Sequence, residues 1–361
     1  MEKTHLLAVP PRQWADVLEE LGSPRYRSKQ LQSWIFQQHK ICFQDMGNLP
    51  QALREQLSNR YTLQTLSEEE KQVSQDGTVK WALKTRDGYS IECVLIPEGD
   101  RYSVCLSSQV GCAMGCRFCS TAKMGLLRNL NLGEIVEQFQ WVNRYVQEEY
   151  QASLTNVIFM GMGEPLQNIP AVGEACDLFT SPEGYNLSRK KITVSTSGLA
   201  PQIVKWAKEY PGYKLAFSLN GSNNTNRSDI MPVNRSIPIE KLLESIDYYQ
   251  DITGNTITFE YVLIKGKTCT LEAAQELRDI AAQRNCKVNL IPLNGGGEDD
   301  LEVPSEKEIA DFQRELQKNV GNKNHTHKIR SQSFPVVVRR PRGRDISAAC
   351  GQLVQQQQKV A

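Results

Sequence analysis

Three cysteines, Cys112, Cys116 and Cys119, follow one another with gaps of three and two residues. Three thiolates so close along a chain can hold three irons of a four-iron cluster and leave the fourth iron without a protein ligand. An iron with an open position can bind a small chelating molecule, so such a cluster can do chemistry as well as carry electrons. Two further thiols, Cys105 and Cys350, flank the trio. Zinc is a rival reading. It takes four ligands in structural sites, commonly from Cys-x-x-Cys pairs. Here the first gap is three residues, and none of the four histidines (His5, His39, His325 and His327) lies close by. A zinc site, or a ferredoxin-type cluster, would have to recruit Cys105 or a more distant ligand.

The elements that must position these thiols are read from pattern. Trp14, Val17, Leu18 and Leu21 recur at helical spacing and end at Gly22-Ser23-Pro24. A second helix is predicted over Ser28 to Gln38 and a third after Pro50, carrying Leu53 and Leu57. Lys80–Lys84 and Ser90–Leu95 read as strands joined at Asp87-Gly88, a hairpin signal. From about residue 100, strands and amphipathic helices alternate. The predicted strands are Ser103–Ser107, Asn156–Met160, Lys191–Ser195, Lys214–Leu219, Thr256–Ile264 and Lys287–Leu293. The helices between them include one with Ile135, Phe139, Val142 and Val146 on a single face, and others near 239–250, 271–284 and 305–318. Six repeated βα units imply a parallel sheet in an α/β fold, a partial (β/α)6 barrel whose site lies at the C-terminal ends of the strands. The polar motifs fall at those ends: the cysteine loop, Gly161–Pro165, Ser195–Gly198, Asn220 and Asn294. The expected organisation is a helical unit over 1–65, a β-hairpin linker over 66–99, the barrel over 100–350 and a disordered tail over 351–361.

Composition narrows the classes. The chain of 361 residues has 40% hydrophobic and 23% charged residues and a net charge of +1, ordinary for a soluble globular protein. No apolar run approaches the roughly 20 residues of a membrane span, and the N-terminus has no secretory pattern. The expected location is the cytoplasm, where clustered cysteines are better read as metal ligands or redox groups than as disulfide staples. Cys42, Cys176, Cys269 and Cys286 are read as buried fillers, and Cys93 as structural.

Cys-x-x-x-Cys-x-Phe-Cys after a first barrel strand resembles the radical S-adenosylmethionine (SAM) superfamily. Cys105–Cys112, Cys119–Lys123, Gly161–Pro165, Ser195–Gly198 and Asp345–Leu353 together resemble the RlmN/Cfr family of RNA methyltransferases, and the likeness covers nearly the whole chain. The resemblance implies a 4Fe–4S cluster on Cys112, Cys116 and Cys119, with SAM chelating the open iron and cleaved to a 5′-deoxyadenosyl radical. It assigns SAM contacts to Gly163, Glu164, Ser195, Ser218, Leu219, Asn220 and Asn294. Taken alone, these have simpler readings: Glu164-Pro165 a solvated turn, Ser195 and Ser197 turn residues, Asn294–Gly297 a flexible loop.

The same resemblance gives Cys350 and Cys105 their roles. An amidine carbon of adenine is electron-poor and cannot attack the methyl of SAM by simple displacement, whereas a thiolate can. Cys350 would take a methyl from one SAM, and a second SAM would supply the radical, so two are consumed per turnover. Cys105 would then attack the Cys350 sulfur, form a disulfide bond and release the methylated base. Glu92 matches the family's proton acceptor; without the resemblance it reads as a surface carboxylate on an edge strand. The implied partners are 23S rRNA and tRNA and an electron donor such as flavodoxin or ferredoxin, with no membrane and a monomeric chain. Lys323, Lys328, Arg330, Arg339, Arg340, Arg342 and Arg344 crowd the approach to Cys350 and suggest phosphate contacts, and Arg25, Arg27 and Lys29 suggest more RNA surface. A base in folded RNA must also be extruded before it can react.

The chain departs from the family at Asn220, where histidine is usual, and at 295–300 and 324–334. Ser120-Thr121-Ala122-Lys123 favours the branch that methylates carbon 2 of adenine over the one that methylates carbon 8. A non-catalytic iron–sulfur or zinc RNA-binding protein is the alternative from a different class.

Overall fold

A computed structural model describes residues 3–294, 300–318 and 333–353. Residues 354–361 of the expected disordered tail over 351–361, most of the two atypical segments, and Lys323, Lys328 and Arg330 lie outside these residues, whereas 351–353 are ordered against the cysteine loop.

Among the described residues ten strands form one open sheet. They are β1 (Ser67–Val73), β2 (Val79–Lys84), β3 (Ser90–Glu98), β4 (Arg101–Cys105), β5 (Asn156–Phe159), β6 (Ile192–Thr196), β7 (Lys214–Ser218), β8 (Ile257–Leu263), β9 (Cys286–Pro292) and β10 (Val336–Val338). Their spatial order follows the chain from β1 at one edge to β10 at the other. Strands β4 to β10 run parallel, one parallel strand more than the six expected. The hairpin is not a detached linker: β1, β2 and β3 continue the same sheet antiparallel from β4.

Among the described residues ten α-helices accompany the sheet: α1 (Trp14–Glu20), α2 (Arg27–Gln32), α3 (Gln51–Arg60), α4 (Leu132–Tyr150), α5 (Ile169–Thr180), α6 (Ala200–Glu209), α7 (Asn224–Ile230), α8 (Ile239–Thr253), α9 (Leu271–Ala282) and α10 (Glu306–Leu316). The predicted second helix is α2 followed by one π-helical turn, Ser33–Gln37. From α4 onward, helices fill each crossover between parallel strands, as a parallel sheet requires. Their starts are set by side chains. Asn131 and Glu134 form a reciprocal capping box on α4, and Ser305 and Glu308 do so on α10.

The buried apolar core is continuous from Leu6 and Trp14 to Leu353. Aromatic contacts join the N-terminal helices to the barrel. Trp14 stacks on Phe36 at 5.5 Å, and Phe36 meets Tyr185 edge-on at 5.5 Å. A polar latch adds to this: buried Glu137 on α4 accepts the Thr65 N–H at 2.8 Å and faces His5 Nε2 at 3.0 Å. No helix among the described residues is long and apolar enough to cross a membrane.

Candidate active site

The cysteine loop opens from a short strand, Gln109–Gly111, paired antiparallel with Leu126–Asn129. Gly111 closes it. Its φ is +74°, and a Cβ there would sit 1.9 Å from the Gly125 carbonyl oxygen, which accepts the Cys112 N–H at 2.8 Å. The Cys119 N–H bonds the Cys116 carbonyl at 3.0 Å, turning the loop. Arg117 anchors it from outside through Asp229 at 2.9 Å and Asp300 at 2.7 Å. Cys116 and Phe118 pack on an apolar group that includes Ile230, Met231, Val262 and Leu293. Burial raises the Cys112 thiol to about 12 and the Cys116 thiol well above its ordinary value; charge on Glu164 and Cys119 raises Cys112 further, and charge on Cys119, Cys112 and Glu164 raises Cys116 further. Iron bound there would have to displace these protons. Among the described residues no three ligating side chains converge as they would on a single ion; a cluster instead spreads its thiolates over separate irons.

The segment bearing Cys350 is stapled onto this loop. The Ser120 N–H donates to the Gly351 carbonyl at 2.7 Å, and the Thr121 hydroxyl donates to the Leu353 carbonyl at 2.6 Å. Asn294 Nδ2 reaches the Cys350 carbonyl at 3.2 Å. Cys350 is open to solvent within a cavity but lies among enough protein that burial raises its thiol; nearby Arg339 opposes the shift and Glu260 adds to it. Cys105, at the end of β4, is buried, and burial together with charge on Cys350 pushes it up to about 12. The two thiols stand 245 positions apart in sequence, and the fold brings them near enough for charge on Cys350 to raise Cys105. All ten cysteines are free, so the expected disulfide bond is not a resident feature. Cys42 is exposed rather than the buried filler expected, whereas Cys176, Cys269 and Cys286 are buried.

Glu92 on β3 is buried, not a surface carboxylate: it is 3% exposed and faces Lys80 Nζ at 3.1 Å. Lys80 also donates to the Ser347 carbonyl at 3.4 Å, tying Glu92 to the segment that carries Cys350.

A cavity of about 140 Å³ opens at the C-terminal ends of the strands. Cys119, Ser195, Ser218, Asn220, Asn294 and Cys350 all line it, as does Glu260, which the sequence reading passed over. Gly163, Glu164 and Leu219 do not line it but shape its wall. The Glu164 carboxylate accepts the Leu166 N–H at 3.0 Å and the Ser197 N–H at 2.7 Å, bracing two strand-end loops. Burial raises its pKa, and those hydrogen bonds oppose the rise. Gly163 has φ +102°, and a Cβ there would lie 2.5 Å from Gln109 Cβ. Asn220 has φ +51°, a conformation asparagine tolerates, and its Oδ1 accepts the Val262 N–H at 3.0 Å. The unusual asparagine is thus part of the frame that ties β7 to β8.

The sequence reading also missed a buried polar group on the cavity wall. Glu260 is 5% exposed, and its Oε1 accepts Asn289 Nδ2 at 2.8 Å and faces Arg339 Nη1 at 3.9 Å. The signal was a carboxylate in the middle of the largely apolar strand Ile257–Leu263. Arg339 is therefore turned toward the cavity wall instead of standing free for phosphate. Arg340 pairs with Glu306, and Arg342 bonds the Pro97 carbonyl. Arg25 is likewise engaged, by Asp16 and Glu19.

These residues fit a cluster and a chelating ligand. Three thiols would supply the iron ligands, and a buried atom on the cavity wall that Cys119 also lines, Asn294 Oδ1, lacks a hydrogen-bond partner among the described residues.

The fold and cysteine loop define a radical SAM protein: the family described as the radical SAM superfamily matches residues 106–277, and the N-terminal domain of ribosomal RNA large subunit methyltransferases matches residues 4–63. A crystal structure of a radical SAM methyltransferase from Sphaerobacter thermophilus superposes with a TM-score of 0.89 at 40% identity, covering 97% of this chain and 98% of that one. Two curated relatives are each named dual-specificity RNA methyltransferase RlmN. That of Anaeromyxobacter sp. (strain Fw109-5) is 42% identical over 96% of this chain and 90% of its own length. That of Anaeromyxobacter dehalogenans (strain 2CP-C) is 40% identical over 96% and 91%. The chain belongs to the RlmN family.

Proposed function

We infer that this chain is a radical SAM RNA methyltransferase that methylates carbon 2 of an adenine in 23S rRNA and in tRNA. The observation that carries the reading is the stapling of the Cys350 segment onto the cysteine loop through Ser120 and Thr121, with Cys105 beside it. A cluster-only RNA-binding protein has no use for a second pair of thiols at that place.

A 4Fe–4S cluster on Cys112, Cys116 and Cys119, with SAM bound to it, supplies a 5′-deoxyadenosyl radical. Ser195, Ser218, Asn220 and Asn294 would hold SAM along the cavity wall, and the backbone at Gly163 and Glu164 would border it. Cys350 accepts the methyl group and holds it at the wall. After one hydrogen atom has been removed from it, the carbon adds to the adenine ring and links protein to RNA, and the ring then gives up a proton and one electron, for which the cluster would be the acceptor. Glu92, held by Lys80, accepts the ring proton. Cys105 attacks the Cys350 sulfur, which releases the base and leaves a disulfide that a reductant must reopen before the next cycle. That disulfide is an intermediate of turnover, in keeping with two free thiols at rest.

Mass spectrometry of ribosomal and transfer RNA from cells with and without the chain tests the reading. The expected result is 2-methyladenosine that depends on the chain. 8-Methyladenosine would assign the other ring carbon, and unchanged RNA would contradict the activity.

A further inference from the structure

Glu260 lines the cavity and carries an unused acceptor. Its Oε1 is held by Asn289 and faced by Arg339, while Oε2 is buried and has no hydrogen-bond partner among the described residues. A buried carboxylate oxygen left unpaired is costly, so its place in the fold points to a ligand donor. In register, Glu260 lies between Ser218 and Asn289 on the sheet, and it shares the cavity with Cys350. A carbon that is to be joined to the Cys350 methyl must come against this wall.

We propose that Glu260 reads the target base: Oε2 accepts a hydrogen bond from the exocyclic amino group of the adenine presented to Cys350. This rests on the RNA methyltransferase reading above and adds a specificity residue to it. A carboxylate can only accept. Adenine offers the N6 amino donor at that edge, where guanine and inosine offer the O6 acceptor. The wall therefore favours adenine and repels a base with a carbonyl there. Burial raises the Glu260 pKa, while Arg339 and the Asn289 hydrogen bond oppose that rise, so the Arg339–Asn289 pair keeps the acceptor form in reach.

Glu260→Gln inverts this logic. Asn289 Nδ2 and Arg339 both demand an oxygen on their side, so the new amide must turn its NH2 toward the cavity. A donor then meets the adenine donor but complements the O6 of inosine. The experiment compares methylation of RNA carrying adenine, inosine or unsubstituted purine at the target position, by wild type and by Glu260→Gln, with S-methyl content of Cys350 measured in the same samples. Wild type is expected to favour adenine over inosine and over purine by about 10- to 100-fold. In Glu260→Gln the adenine-to-inosine ratio falls at least about tenfold. Equal use of purine and adenine by wild type, which needs no variant, would overturn the proposal, as would an unchanged ratio in Glu260→Gln. Loss of Cys350 methylation in the variant would also overturn it and assign Glu260 to the methyl donor. Wild type that methylates Cys350 but neither RNA would instead contradict the activity on which the proposal rests.

Discussion

Asp76 accepts the backbone N–H of Gly343 at 2.9 Å across 267 positions of sequence. Asp345 answers from the other side, taking the Ser74 hydroxyl at 2.6 Å and the Gln75 N–H at 3.1 Å. The turn between β1 and β2 therefore holds the segment that ends in Cys350. The hairpin edge of the sheet acts as a clamp for the segment bearing Cys350, the proposed methyl carrier.

Removing the clamp should misplace Cys350 and spare the cluster. Asp76→Ala is expected to lower RNA methylation about tenfold, comparable to loss of a charge-assisted hydrogen bond, with iron content unchanged. Burial alone would raise the Asp76 carboxyl, but hydrogen bonds from Thr78, Gly343 and Ser74 bring it down from 3.8 to about 2. A depressed acid stabilises above its unfolded pKa, so the contribution is full above about pH 4 and is lost as pH falls toward 2. Urea unfolding of the cluster-free protein tests this: the gap between wild type and Asp76→Ala should close over that interval.

The Lys80–Glu92 pair is buried on both sides. Lys80→Met leaves an uncompensated carboxylate and should cost about 3–5 kcal/mol of stability. Adding Glu92→Gln to Lys80→Met should recover much of that loss while abolishing RNA methylation. A double variant no more stable than Lys80→Met would show that the pair does not govern this region.

Cys105, at about 12, is almost wholly protonated at neutral pH, and the thiolate is the attacking form. Its raised value means that the thiolate fraction increases about tenfold per pH unit up to that pKa. Release of methylated RNA in a single turnover should therefore speed up from pH 7 to pH 9. Cys105→Ser should accumulate a covalent protein–RNA adduct, seen as a slowly migrating band on a denaturing gel. A pH-independent release rate would place another group in this step.

Gly163→Ala should fail where many glycine replacements succeed. The positive φ and the Gln109 side chain together exclude a methyl group. The expected cost is about 1–3 kcal/mol with weakened SAM binding, measured by calorimetry with the cluster in place.

Much of the barrel was legible because buried parallel strands and amphipathic helices carry strong periodicities, as in β8, β9 and α4. Two strands were not. β1, Ser-Glu-Glu-Glu-Lys-Gln-Val, is almost fully exposed, so it has no apolar face to betray it and forms by pairing with β2 at the sheet edge. β10 is three valines long, too short for a period. At the site, the cysteine loop and strand-end polar residues stood out as motifs. The Glu260–Asn289–Arg339 group did not, because its members lie on three strands or strand ends and meet only across the sheet. For the same reason Arg339 read as one of a surface run of cations.

The account turns on Cys350 as a carrier of the methyl group. The direct measurement is the intact mass of Cys350-containing peptide from protein made with its cluster and SAM, followed before and after addition of substrate RNA. The account predicts one added methyl on Cys350 that disappears as the adenine gains one carbon. An unmodified Cys350 throughout, in protein that still methylates RNA, would contradict it.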